Sequence, residues 1–253
     1  MGTLSDRAIL DRFPKQRPAL PTRFQSIFED EYRRSREAKS TLSAIVHNLE
    51  SWMHRRVANR GDGSVLELGA GTLNHLKYEP DLSSYDIVEP KTYLYQNSCE
   101  AARIRNSYSL VSEVPLSNKY DRIISVAVLE HLTNLPVDVA HSCLRLKDGG
   151  SFQAGIPCEG EFAWYIGWRL TTGLSLYLRH RLDYGDFMRH EHVNTLKEIV
   201  SVLNLFFTDV RLIRSPFPAP SSQFSLYTSV TSHHPKKRAR QTISGGRALS
   251  KVW

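Results

Sequence analysis

A chain of 253 residues, with 41% hydrophobic and 23% charged residues, suits one globular domain with appendages better than two complete domains. No run approaches the roughly 18 to 20 uninterrupted apolar residues that span a bilayer, and Met1-Gly2-Thr3-Leu4-Ser5-Asp6-Arg7 lacks the apolar stretch of a secretory signal, so a soluble cytoplasmic protein is expected. The three cysteines, Cys99, Cys143 and Cys158, are odd in number and show no metal-ligand spacing, which argues against a disulfide framework and a structural zinc site.

The net charge of +7 admits nucleic acid, an anionic membrane surface or acidic substrates as partners. Its location decides between them. The tail 233–253 carries Lys236, Lys237, Arg238, Arg240, Arg247 and Lys251 with no acid among them, so most of the excess sits in what reads as a disordered extension. That tail is either a solvated end or a contact for a membrane surface, and nucleic acid is the weaker expectation.

The first forty residues are polar and interrupted by Pro14, Pro18 and Pro21, which predicts an irregular arm with a short helix in Phe24 to Arg36. Leu42, Ile45, Val46, Leu49, Met53 and Val57 then recur at helical spacing, so Ser40 to Ala58 is expected to lie as an amphipathic helix on a core until Gly61-Asp62-Gly63 stops it. Residues 1–60 thus form an arm and cap, and 61–232 form the main domain. Within that domain short β-rich runs alternate with helical stretches, the pattern of parallel βαβ units in a doubly wound α/β sheet. Strands are predicted at Ser64 to Leu68, Tyr85 to Val88, Tyr108 to Val111, Asp121 to Ala127 and Ser151 to Ile156, with helices between them. A helix is placed at Pro136 to Leu146, ending before Gly149-Gly150, and another begins at the capping box Thr195-Leu196-Lys197-Glu198. Strands near Phe207 to Ile213 and Phe224 to Val230 complete a mostly parallel seven-stranded sheet.

The first strand runs into Glu67-Leu68-Gly69-Ala70-Gly71-Thr72-Leu73-Asn74, and glycines at such a turn let backbone approach a ligand closely. Two details argue against a pyrophosphate ligand. Glu67 puts a carboxylate beside the turn, where it suits a cationic amino-acid group, and Asn74 stands where a dinucleotide fingerprint has its third glycine. Eighteen residues beyond Gly71, Glu89 ends the second strand, where an acid accepts ribose hydroxyl bonds; a shift of register would give that role to Asp86.

With Tyr120 to Leu132, including Glu130-His131-Leu132, and Leu144-Arg145-Leu146-Lys147-Asp148-Gly149-Gly150, the stretch from Val65 to Ile156 resembles the class I S-adenosylmethionine-dependent methyltransferases that act on small molecules. The resemblance implies that Gly69, Ala70 and Gly71 cradle the methionine part of S-adenosyl-L-methionine, Glu89 holds the ribose, Val111 and Ser112 flank the adenine, and Ser125 closes the pocket. Leu73 departs from the pattern, standing where a further glycine is common, and Asp148 replaces the usual proline.

Methyl transfer is an in-line displacement that needs alignment above all, and a base when the acceptor is a hydroxyl. His131 is a candidate for that base, although Glu130 and His131 equally suit a structural pair that fixes the start of a helix. The segment 158–194 is too long for a plain connection and is read as a lid over the carboxyl edge of the sheet. Its Trp164, Trp168, Arg169, Tyr184 and Arg189 are candidates for stacking on and pairing with a sugar or an anionic acceptor, against the plainer reading that its aromatics only pack the lid. His190 and His192 are further catalytic candidates. No metal is expected from the spacing. The run Arg189 to Asn194 loosely resembles methyltransferases of sugar-modifying pathways, which makes a carbohydrate or glycoconjugate precursor the first acceptor to consider. The rivals are an RNA methyltransferase, for which no RNA-binding module is visible, a nicotinamide dehydrogenase, disfavoured by Glu67 and Asn74, and an inactive cofactor-binding partner subunit.

Overall fold

The computed structural model describes residues 6–20, 22, 51–58, 63–80, 82–158, 161–162, 184–215 and 225–236, and the side chains of Tyr184, Phe187 and His234 are outside that description. Two expected features, the helix at Phe24 to Arg36 and the first half of the cap helix, lie outside the described residues. So do Trp164, Trp168 and Arg169 and the basic run from residue 237 onward.

Seven strands form one sheet in the order β3-β2-β1-β4-β5-β7-β6. They are β1 (Ser64–Leu68), β2 (Ser84–Val88), β3 (Asn106–Tyr108), β4 (Tyr120–Val126), β5 (Leu146–Pro157), β6 (Phe207–Ser215) and β7 (Tyr227–Pro235). The first five pair in parallel, and β7 runs antiparallel between β5 and β6. Chain order reverses between β1 and β4, and open α/β sheets bind ligands beyond the carboxyl ends of the strands at such a switch point. All five residues of β1 are buried, as a central parallel strand covered on both faces requires.

The helices are α1 (Asp6–Leu10), α2 (residues 51–57), α3 (Leu135–Cys143), α4 (Tyr184–Glu191) and α5 (Leu196–Phe206). One face of the sheet, with Leu66, Leu68, Ile123, Phe152, Ala154 and Val230, packs on α3, α5 and Phe13. The other, with Val65, Tyr85, Ile87, Ile124 and Val126, packs on Met53 and Val57 of α2 and on the turn after β1. The capping box of α5 forms in both directions: the Thr195 hydroxyl accepts the Glu198 N–H, and the Glu198 carboxylate accepts the Thr195 N–H at 3.0 Å.

Three local expectations differ. Between β1 and β2, and between β2 and β3, the chain forms 3₁₀ turns (Leu76–Tyr78, Thr92–Leu94, Cys99–Arg103) where helices were predicted. Leu73 takes a left-handed φ of 64° at the point where a helix would propagate, Pro80 closes the first segment, and Pro90 stands at the start of the second. The third strand is Asn106–Tyr108, and Val111 opens a 3₁₀ turn, Val111–Glu113, in which the Glu113 carboxylate accepts the Ser109 and Leu110 N–H groups. The helix placed at Pro136 to Leu146 stops at Cys143, and β5 starts at Leu146, passing through the glycines expected to separate helix from strand. Gly149 holds φ 79°, and a Cβ on Gly150 would stand 3.0 Å from the carbonyl oxygens of Asp121 and Lys147, so the close approach of β5 to β4 needs a glycine there. Among the described residues no helix is long and apolar enough to cross a membrane.

Candidate active site

The turn after β1 is built by two left-handed glycines, Gly69 at φ 68° and Gly71 at φ 51°. The Gly69 N–H still donates to the Val88 carbonyl at 2.8 Å, holding the turn against the end of β2. A Cβ on Gly69 would lie 2.3 Å from Val128 Cγ2, so only glycine lets the turn sit against the segment that follows β4.

Glu89 stands one residue past β2 and is buried. Its Oε2 accepts the Gly71 N–H at 2.9 Å and its Oε1 the Lys91 N–H at 3.0 Å. A carboxylate offers about four acceptor positions, so two backbone donors leave capacity for hydroxyl groups. Asp86 is engaged inside the strand: Arg105 donates to both its oxygens, at 2.9 and 2.6 Å, the Tyr120 hydroxyl donates at 2.6 Å, and the Asn106 N–H donates at 3.1 Å.

Glu67 faces α2 rather than solvent and is 2% exposed. The Tyr85 hydroxyl donates to its Oε2 at 2.7 Å, and burial pushes its pKa up, opposed by the nearby His75 and by the Tyr85 bond. Beneath the turn runs a buried chain of polar groups. His54 and His75 share a hydrogen bond between their Nδ1 atoms at 3.1 Å, His75 Nε2 meets Glu79 Oε1 at 3.1 Å, and Glu79 pairs with Arg122. Burial first, and then the proximity of His75, lowers the His54 pKa to about 3. Ser125, near the end of β4, is fully buried, and its Oγ has no hydrogen-bond partner among the described residues. Val111 is buried and Ser112 half-buried, both in the turn beyond β3.

After β4 the chain bends sharply, with Ala127 at φ 55°, into a 3₁₀ turn Leu129–His131. The second histidine-bearing segment, sixty residues on, docks against this turn. The Val193 and Asn194 N–H groups donate to the Glu130 carbonyl at 2.9 and 3.0 Å, and the Asn194 side chain donates to the carbonyls of Leu129 and Leu132 at 2.9 and 2.7 Å. His131 and His192 meet edge to face, ring centroids 4.7 Å apart. His131 Nδ1 lies 2.9 Å from the Glu191 carbonyl oxygen, which can only accept, so Nδ1 carries the proton and Nε2 the lone pair. Glu130, 1% exposed, places Oε1 3.9 Å from that Nε2.

The N-terminal arm fastens both segments. Arg17 donates to the carbonyls of His131 at 2.8 Å and of His190 and Glu191 at 3.1 Å each, and Lys15 Nζ donates to Val193 O at 2.7 Å and Glu198 at 2.8 Å. His190 turns its Nδ1 to the Pro18 carbonyl at 2.7 Å, so its ring serves the arm, apart from the His131 and His192 pair. Arg189 is exposed and pairs with Asp186 on α4. The sequence reading named the three histidines and passed over Lys15, Arg17 and Asn194, which hold them. No periodicity marks these residues; a lone pair of cations between prolines and an asparagine before a helix cap look like ordinary surface chemistry.

No family model matches the sequence, and no curated relative matches it by sequence. Solved structures do match by fold. The N-methyltransferase NodS from Bradyrhizobium japonicum WM9, determined with S-adenosyl-L-homocysteine, superposes with a TM-score of 0.53 at 14% identity, over 85% of this chain and 100% of that one. A SAM-dependent methyltransferase from Thermotoga maritima gives 0.53 at 14% identity, over 85% and 99%. The plantazolicin methyltransferase BamL, determined with a triazolic desmethylPZN analogue and SAH, gives 0.53 at 13% identity, over 83% and 91%. The chain has the seven-stranded, Rossmann-like fold of these methyltransferases.

Proposed function

We propose that the protein transfers a methyl group from S-adenosylmethionine to an oxygen or nitrogen of a small metabolite. The observation that carries this reading is that a glycine turn closed by Glu89 packs at Gly69 against Val128, the residue that leads directly into the Glu130, His131 and His192 edge. When bound, the cofactor supplies an electrophilic methyl on a sulfonium. The backbone of Gly69, Ala70 and Gly71 would lie along its methionine part, Glu89 would accept from its ribose hydroxyls, Val111 and Ser112 would flank its adenine, and the unpartnered Ser125 Oγ would face it at the end of β4. An ammonium beside Glu67 would offset the desolvation that raises this carboxyl's pKa, so binding should favour its ionised form.

For the acceptor, the chain's work is positioning. The edge is rigid because Asn194, Arg17 and Lys15 bind its carbonyls, and a fixed nucleophile removes much of the entropic barrier of a bimolecular displacement. A hydroxyl acceptor must also lose its proton, and His131 Nε2 offers the lone pair that takes it, with Glu130 close enough to stabilise the imidazolium formed. An amine acceptor needs no such help. We take residues 61–232 as the catalytic domain, 1–60 as its arm and cap, and about 158–194 as its lid. Trp164, Trp168, Arg169, Tyr184 and Arg189 remain the proposed contacts of a carbohydrate or glycoconjugate acceptor, and the three unpaired cysteines are consistent with work in the cytoplasm.

Parallel calorimetric titrations with S-adenosylmethionine, S-adenosylhomocysteine and NAD test the reading. Binding of both adenosyl ligands without NAD is expected and opens a screen of sugars and nucleotide sugars. Binding of NAD alone, or of none of the three, overturns it.

A further inference from the structure

We propose that Glu130, His131 and His192 form a binding site for one first-row divalent cation, of the type that takes Zn²⁺, at the acceptor edge. One ligand atom from each of the three residues lies within 4.8 Å of the other two. The best-defined pair, His131 Nε2 and Glu130 Oε1, is separated by 3.9 Å. Two ligands each about 2.1 Å from a common tetrahedral ion stand about 3.4 Å apart, so side-chain rotation must draw this pair together by about 0.5 Å and bring the third ligand in with it.

Two further features suit a metal. A ligating imidazole usually donates its other ring N–H to a carbonyl or carboxylate, which fixes the tautomer and turns the lone pair to the ion. His131 does this, with Nδ1 2.9 Å from the Glu191 carbonyl and 3.6 Å from the Glu191 carboxylate. The backbone carrying the ligands is also fixed in advance, because the Glu130 carbonyl accepts from Val193 and Asn194, the two residues that follow His192. Two imidazoles and one carboxylate match zinc-like ions better than magnesium or calcium, and three protein ligands leave a position open, as catalytic sites do.

The consequence for chemistry rests on the proposed methyl transfer. An ion here would hold an oxygen acceptor and lower the pKa of its hydroxyl, so that with His131 as a ligand the hydroxyl proton passes to solvent water, and the oxygen bonds the methyl carbon as the carbon–sulfur bond of the sulfonium breaks, releasing S-adenosylhomocysteine. That narrows the acceptor class to one that offers an oxygen to the metal. The sequence hides the site because its ligands come from two segments about sixty residues apart, with none of the short spacings that mark metal motifs.

The test is titration of chelator-treated protein with Co²⁺, followed by its visible absorption, and with Zn²⁺ by calorimetry, alongside S-adenosylhomocysteine titration of the same samples. We expect one ion per chain, binding weakened at least tenfold in His192→Ala and in Glu130→Gln, unchanged ion affinity in His190→Ala, and unchanged S-adenosylhomocysteine affinity in all three. No ion bound below millimolar concentration, or binding that survives His192→Ala, or binding lost equally in His190→Ala, overturns the site. Absence of ion binding in the wild-type protein, with intact S-adenosylhomocysteine binding, refutes the metal alone, whereas absence of S-adenosylhomocysteine binding in the wild-type protein refutes the methyltransferase reading and leaves the cation result standing.

Discussion

Gly69→Ala probes the close packing of the glycine turn against Val128, the residue that leads into the Glu130 and His131 turn. The substitution costs twice. An alanine held at φ 68° sits in the left-handed region, at about 1 to 2 kcal/mol. Its Cβ would also stand 2.3 Å from Val128 Cγ2 and 2.8 Å from Cγ1, against the roughly 3.5 to 4.0 Å of a relaxed carbon contact, so one side must move by more than about 1 Å. Overpacking of that kind costs about 1 to 3 kcal/mol, and Val128 is 8% exposed with core on its far side, so it cannot swing clear. The sum is about 2 to 5 kcal/mol, a large share of a domain's roughly 5 to 15 kcal/mol, and should lower Tm by about 4 to 20 °C. Urea unfolding of Gly69→Ala, Val128→Ala and the double variant separates the two costs. Val128→Ala removes both clashing methyls and leaves Cβ at 3.1 Å, so the double variant should be more stable than the sum of the singles by about 1 kcal/mol or more. Additivity within about 0.5 kcal/mol, or wild-type stability of Gly69→Ala, would refute the packing argument.

Four other outcomes are expected. Glu89→Ala removes the acceptor of the Gly71 and Lys91 N–H groups and should weaken S-adenosylhomocysteine binding by about 1 to 3 kcal/mol in calorimetry; wild-type affinity would move the ribose site elsewhere. Leu73→Gly relieves a left-handed leucine by about 1 to 2 kcal/mol but empties a buried position worth more, so urea unfolding should show a net loss of about 1 to 3 kcal/mol, and a gain would mean that the side chain contributes little to the core. Burial holds His54 at about 3 and His141 at about 4, both below the unfolded value of 6.5, so the unfolded chain binds more protons, and stability should fall as pH drops below about 6.5; a His54→Phe variant with the same slope between pH 6.5 and 4 would remove His54 from the effect. Arg17→Ala frees three carbonyls around the histidine edge and should reduce turnover far more than S-adenosylhomocysteine affinity, whereas equal losses would point to general unfolding.

What the sequence revealed and what it hid follow the range of the interactions concerned. β1 was legible to the residue because Val65, Leu66 and Leu68, with Glu67 among them, stand directly before Gly69, and α5 because Thr195 and Glu198 cap each other within one turn. Glu89 stood out as an acid at the end of the second strand, and the structure joins it to Gly71 by a hydrogen bond. The failures were local patterns overruled by distant partners. Leu110-Val111 looks like strand but turns, because Glu113 captures its backbone donors and Arg145 binds the Ser112 and Val114 carbonyls. Gly149-Gly150 looks like a helix stop but lies in a strand, because β4 needs a close neighbour there.

The acceptor edge was legible only as two fragments. Glu130-His131-Leu132 and the run from His190 to Asn194 each stood out for their residue types, yet nothing in either names the other, since the bonds that unite them run through backbone carbonyls, which every residue carries alike. Asn194 matters because its side chain spans two such carbonyls, and Arg17 because one guanidinium spans three. The glycine turn could be read because its requirement is conformational and restricts the residue to glycine. The acceptor side could not, because its requirement is positional, met by donors that many residue types supply, and so its chemistry had to await the fold.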